Sequence, residues 1–168
     1  MRTFYTKNCY NGGRPNGMAI KARFVYTNLT TRDWKKLVLF YGNVFGCIPK
    51  GLDRDFSGEW MDRVTALRQT HLRGIHVLPP GYGEARPTLE TFTYDSMGER
   101  GSAQVNEPGF AHVAFAVDNV DEALEAVVAA GGCAVGDIAM PELDGVRSLR
   151  VVYARDPEGN IVELQKWS

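Results

Sequence analysis

The sequence predicts an α+β protein: two tandem β-α-β-β-β modules forming a curved mixed sheet around a cleft, with the helices outside. Three features carry that prediction. A strand followed by an amphipathic helix is written twice, as "RFVYTNL" with "DWKKLVLFYGNVFG" and as "FAHVAFAV" with "DNVDEALEAVVAAGG". Tyr26 and His112 stand equally far ahead of the first apolar helix residues, Trp34 and Val120. Each copy then closes on a strand with an internal acid, Glu90 in "PTLETFTY" and Glu163 in "GNIVELQKW". Self-similarity on this scale marks paired supersecondary units. Neither unit could bury a sheet alone, so residues 23–168 are expected to form a single domain.

The elements follow in order. Residues 1–22 contain the turn-rich "NGGRPNG" without apolar periodicity and are expected to be an N-terminal extension, with Met18 as an alternative start. Module 1 occupies about 23–95, a polar Gly-containing linker about 95–109, and module 2 about 110–168. In the first helix Trp34, Leu37, Val38, Tyr41, Val44 and Phe45 recur at helical spacing, with Thr31 as the expected N-cap and Gly46 as the stop. In the second helix Val120, Ala123, Leu124, Val127 and Val128 share a face, Asp118 or Asn119 caps, and Gly131 and Gly132 end it. The segment "SGEWMDRVTAL" reads as helical rather than extended. Cys47 and Cys133 follow the helix stops and are expected to be small buried packing residues.

The chain has 168 residues, 44% of them hydrophobic and 23% charged, so ordinary globular usage argues against disorder or a fibrous repeat. A net charge of -1 with no basic run gives no electrostatic reason to expect a nucleic-acid or membrane partner. Three widely spaced cysteines suggest neither a disulfide framework nor a zinc knuckle, and no apolar run approaches the ~18 residues of a membrane span. A cytoplasmic protein is therefore expected.

Strand alternation says where the polar residues point. Val113, Phe115 and Val117 take the helix side of their strand, leaving His112, Ala114 and Ala116 on the other; Val162 and Leu164 likewise leave Glu163 facing the way of His112. In module 1 the same logic groups Glu90, Phe92 and Tyr94, and Phe24, Tyr26 and Asn28. An ionised carboxylate removed from water without a partner costs several kcal/mol, so two acids and an imidazole on a concave face call for one explanation. A divalent metal ion offers one, because carboxylates and neutral imidazole suit zinc, nickel, manganese or iron alike. The plainer alternative places the acids at strand ends in solvent, or in pairs with arginines such as Arg150.

The text "DWKKLVLFYGNVFG", "FAHVAFAVDNVDEALEAVVAAGG" and "YARDPEGNIVELQ" resembles the vicinal oxygen chelate superfamily, the glyoxalase/bleomycin-resistance/dioxygenase fold, over residues 23–168. The resemblance implies a cleft metal held by Tyr26, Glu90, His112 and Glu163. Tyr26 departs from the His or Gln usual there, and a neutral phenol is a poor ligand. A three-ligand site of Glu90, His112 and Glu163 is therefore expected. It also implies a small-molecule substrate with adjacent oxygens, an enediolate-like oxyanion, a glutamate base (Glu163, or Glu90 with roles exchanged), and a homodimer. A metal-free protein that sequesters an aromatic or drug-like ligand between Phe92, Tyr94 and Tyr26 is the alternative; a dioxygenase is a second one. Around the site, a turn over Asp156–Gly159 pairing Arg155 with Asn160 puts Arg150 on the cleft face as a substrate anchor. His76, in "HLRGIHVLPP", is a further candidate for facing the substrate.

Overall fold

The computed structural model describes residues 21–83, 86–143 and 147–168; the expected extension and Met18 lie outside them, apart from residues 21 and 22. Module 1 runs β1 (Tyr26–Thr30), α1 (Trp34–Phe45), β2 (Ile48–Ser57), α2 (Glu59–Thr65), β3 (His71–Leu78) and β4 (Thr88–Tyr94). Module 2 runs β5 (His112–Ala116), α3 (Val120–Ala129), β6 (Cys133–Ala134), β7 (Glu142–Leu143), β8 (Arg147–Arg155) and β9 (Ile161–Trp167). Each module keeps its own open mixed sheet, ordered β1-β4-β3-β2 in the first and β5-β9-β8-β6 in the second, with β7 on β8. The opening strand of each pairs in parallel with the closing one, β1 with β4 and β5 with β9.

The helices join the modules. Leu37, Phe40 and Tyr41 of α1 are buried in one cluster with Leu29, Ile75, Val77 and Leu89 of the first sheet and Val120, Val127, Val152, Val162 and Leu164 of module 2. Phe45 stacks on Phe115 with ring centroids 4.1 Å apart, tying α1 to β5. Val162 and Leu164 are fully buried beneath α3, as alternation requires. Among the described residues no helix is long and apolar enough to cross a membrane.

Local signals explain the helix ends. Gly46 adopts the left-handed conformation at φ 69 and stops α1, and Asn119 caps α3 by accepting from the amides of Asp121 and Glu122. The N-cap of α1 is Asp33, not Thr31. Thr31 is still part of the extended chain, since its amide donates to the Phe92 carbonyl at 2.8 Å, while its hydroxyl accepts from the Asp33 amide. Helix α2 forms where the sequence reads as helical. The Asp62 carboxylate accepts from the amides of Gln69 and Thr70, which holds its pKa below the ordinary 3.8. Cys47 is buried, and burial pushes its thiol up to about 11 against the opposing charge of Arg86. Cys133 is exposed instead, on β6, a two-residue strand at the edge of its sheet.

At the far end of the first sheet His71 sits 2.8 Å from Asp55 and 2.7 Å from Asp95. Hydrogen bonds to those acids raise its pKa above the ordinary 6.5. A raised histidine pKa favours folding fully below the unfolded value, and that contribution disappears as pH rises through the folded value. Thermal melts should therefore show Tm declining from pH 6 to 8.5, with a shallower decline in His71→Gln; parallel curves for the two proteins would refute the assignment.

Candidate active site

Strand pairing places one imidazole, one phenol and one carboxylate on the open face of each sheet. In module 1 His76 lies directly opposite Glu90 across β3 and β4, with His76 Nε2 2.9 Å from Glu90 Oε1. Both residues are buried, each 7% exposed. His76 Nδ1 lies 2.7 Å from the Thr88 hydroxyl, and Asn28 Nδ2 donates to Glu90 Oε2 at 3.0 Å. Burial lowers the His76 pKa most, Lys50 and Arg54 lower it further, and Glu90 pulls the other way. The imidazole is thus held neutral, and Glu90 has donors on both oxygens. Tyr26, 44% exposed, packs edge-on to His76 at 5.2 Å.

Module 2 repeats the arrangement with phenol and imidazole exchanged. Tyr153 on β8 is the residue opposite Glu163, and His112 comes from the opening strand. His112 Nε2 lies 3.1 Å from Glu163 Oε2 and its ring is 5.2 Å from that of Tyr153. Burial, then the charge and hydrogen bond of Glu163, raise the Tyr153 pKa. Tyr26 and His112 are therefore equivalent in the repeat, as are His76 and Tyr153. The sequence signal for Tyr153 lay in the hairpin loop. The Asp156 amide donates to the Asn160 carbonyl and Gly159 takes φ 83, so the loop holds one residue more than a four-residue turn and Arg155 pairs with Ile161. A one-residue shift turns every β8 side chain to the other face.

That shift corrects the expected place of Arg150. Its guanidinium lies on the α3 side, 2.7 Å from Asp121 Oδ1, and not on the face carrying Glu163. Phe92 is corrected too. It is 6% exposed and packs with Met61 and Leu72 beneath α2, leaving no ring face for a ligand. Gly74, opposite Phe92, admits that ring: a Cβ there would stand 2.2 Å from it and 1.9 Å from the Thr91 carbonyl oxygen. Tyr94 remains open and lines a cavity of about 540 Å³ with Asn28, Thr30, Arg100, Phe110 and His112. A second cavity of about 330 Å³ lies over His76 and Thr88.

The expected metal centre is not assembled. Among the described residues no three His, Cys, Asp or Glu side chains are grouped to hold a metal ion. The acids and imidazoles pair two by two, within each module, at 2.9 and 3.1 Å. A three-ligand site of Glu90, His112 and Glu163, with or without Tyr26, does not fit this arrangement within one chain.

Comparison with known proteins follows the architecture. A solved glyoxalase family protein from Bacillus cereus superposes with a TM-score of 0.76 at 22% identity, over 90% of this chain and 99% of that one. A fosfomycin resistance protein, FosX, from Listeria monocytogenes gives 0.52 at 20% identity over 87% and 93%. A protein from the mobile metagenome of V. Pseudocholerae gives 0.51 at 18% over 90% and 99%. At such identities these likenesses establish the fold. No curated protein matches the chain. The family model for glyoxalase matches residues 23–164, spanning both modules and both His–Glu pairs, and the chain therefore belongs to the Glyoxalase/Bleomycin resistance protein/Dioxygenase superfamily.

Proposed function

We propose that this protein is a glyoxalase-type lyase or isomerase acting on a small molecule with adjacent oxygens, in which His112 and Glu163 move the proton. The observation that supports it is an imidazole at the wall of the 540 Å³ cavity with a carboxylate 3.1 Å behind it. Glu163 engages Nε2, and among the described residues Nδ1 of His112 has no partner. That leaves Nδ1 to take a proton from a carbon beside a carbonyl, while the carboxylate stabilises the imidazolium that forms. Arg100 lines the same cavity with Nη1 on Asn160, and its remaining guanidinium N–H groups are the donors for an oxyanion in this scheme. No step is routed through a divalent metal, because one chain offers its ligands in pairs. The homodimer and the cytoplasmic location expected above belong to this same reading.

Solvent-deuterium exchange into hydroxyacetone and dihydroxyacetone, followed by proton NMR, tests it. The wild-type chain should exchange the carbon-bound protons faster than buffer. A second reading, sequestration without chemistry, is favoured by Phe110, 97% exposed beside Tyr94 at the same cavity. Absence of exchange together with saturable binding of a neutral naphthalene fluorophore would select it. Metal analysis of protein purified without added metal, repeated on Glu163→Ala and His112→Ala, decides the metal question: one equivalent lost on mutation would mean that a second copy completes the ligand set. Oxygen uptake with catechol and bound iron would instead indicate a dioxygenase.

A further inference from the structure

The second cavity is lined by Arg23, Lys50, Arg54 and Arg86 together with His76 and Thr88. Four cations of one sign around a space of about 330 Å³ repel one another, and among the described residues none of them is ion-paired with an acid. The Glu90 carboxylate beneath them is already engaged by His76 and Asn28. Arg86 adds a second sign of an unmet partner. Its Nη1 donates to the Tyr82 carbonyl, but its Nε is buried without a hydrogen-bond partner among the described residues, and such groups are rare unless something else satisfies them.

The backbone has been shaped to collect this charge. Strand β2 pairs Lys50 with His76 and then slips, so that Arg54 pairs with Gly74. In unbroken register Leu52 would occupy the place opposite Gly74. The bulge, which begins at Gly51 with φ 78, carries Leu52 and Asp53 out to solvent and brings Arg54 to the same face as Lys50 and His76. An apolar residue and an acid are thereby exchanged for a guanidinium at the cavity wall.

We propose that Lys50, Arg54 and Arg86, with Arg23 at the rim, form a binding subsite for the tetrahedral dianion of a phosphorylated or phosphonate-bearing small molecule. Guanidinium forks match the oxygens of such a group in pairs, and Lys50 supplies a point charge. The Thr88 hydroxyl on the same wall is committed to His76 Nδ1 at 2.7 Å, so the cationic side chains carry the recognition. A dianion is favoured over a carboxylate because four cations with no acid partner among the described residues exceed what one negative charge offsets. The subsite belongs to module 1 alone and does not depend on the proton chemistry of His112.

Calorimetric titration with inorganic phosphate, phenylphosphonate and benzoate at fixed ionic strength tests the subsite. One phosphate or phosphonate per chain should bind, with benzoate weaker by about tenfold or more, since a carboxylate has one oxygen fewer and each charge-assisted hydrogen bond it fails to make is worth at least that factor. Arg54→Gln and Lys50→Gln, both at exposed positions and so not expected to disturb folding, should each weaken phosphate about tenfold, and the double variant should abolish it. Arg150→Gln, far from the cavity on the α3 side, should leave it unchanged. Phenylphosphonate binding more tightly than phosphate would identify the group as the handle of a larger ligand; equal affinity would identify the free ion as sufficient. No phosphate binding, binding indifferent to the Lys50 and Arg54 substitutions, or benzoate binding as tightly as phosphate would overturn the proposal. Exchange activity at His112 plays no part in the readout, so failure of one proposal leaves the other standing.

Discussion

Asp156→Ala should lower the stability of the chain by about 3 to 5 kcal/mol, the cost of removing one member of a buried, hydrogen-bonded charge network. The carboxylate is 2% exposed and accepts four hydrogen bonds: from the Tyr41 hydroxyl at 3.1 Å, the Glu158 and Asn160 amides at 2.9 Å each, and Asn160 Nδ2 at 2.8 Å. Burial outweighs those donors and holds its pKa above the ordinary 3.8. Tyr41 itself is fully buried in α1, so this one hydrogen bond fastens the first module's helix to the hairpin that positions Glu163. Truncation strands the fully buried phenol in the core and leaves the Asn160 amide groups without their acceptor. Urea unfolding followed by circular dichroism measures the loss. Tyr41→Phe, which removes one donor and leaves Asp156 Oδ2 still bonded to Asn160 Nδ2, should cost only about 1 kcal/mol. Equal losses from the two substitutions would mean that the network is not what holds the hairpin to the helix.

Much of this architecture was legible because it is written in short periods. The helical spacing of Leu37, Tyr41 and Val44 and the alternation of Val113, Phe115 and Val117 each encode which side meets the core, and the glycine and asparagine punctuation placed the helix ends to within a residue or two. The His112–Glu163 pair followed from the same alternation, since both strands belong to one parallel pair. What alternation cannot encode is which strand lies beside which, and by how much the pairing slips. His76 joined Glu90 only through the β3–β4 register. Tyr153 displaced Arg150 from the open face because the loop after Arg155 holds one more residue than the D-P-x-G text suggests. Phe92 is closed to a ligand because α2 folds back over it, a tertiary event with no local signature in "TLETFTY". The three-ligand centre is not grouped among the described residues of one chain for a related reason: repeat-equivalent acids share a direction within their own sheets, which says nothing about the distance between two sheets.

The kinetic consequence of the exchanged phenol and imidazole can be separated residue by residue. If Nδ1 of His112 is the base, His112→Ala should slow deuterium exchange by about 10²–10⁴, the range a positioned general base supplies. Glu163 touches the imidazole rather than the substrate and is a positioning residue in this scheme, so Glu163→Gln should cost less, and the double variant should cost no more than His112→Ala because the two act as a unit. Tyr153→Phe removes one donor from Glu163 without touching His112 Nε2, which leaves the carboxylate a better acceptor; its exchange rate should match or modestly exceed the wild type. A Glu163→Gln variant slower than His112→Ala would instead make the carboxylate itself the acceptor, with the imidazole merely aligning it, and would assign the chemistry to the opposite member of the pair.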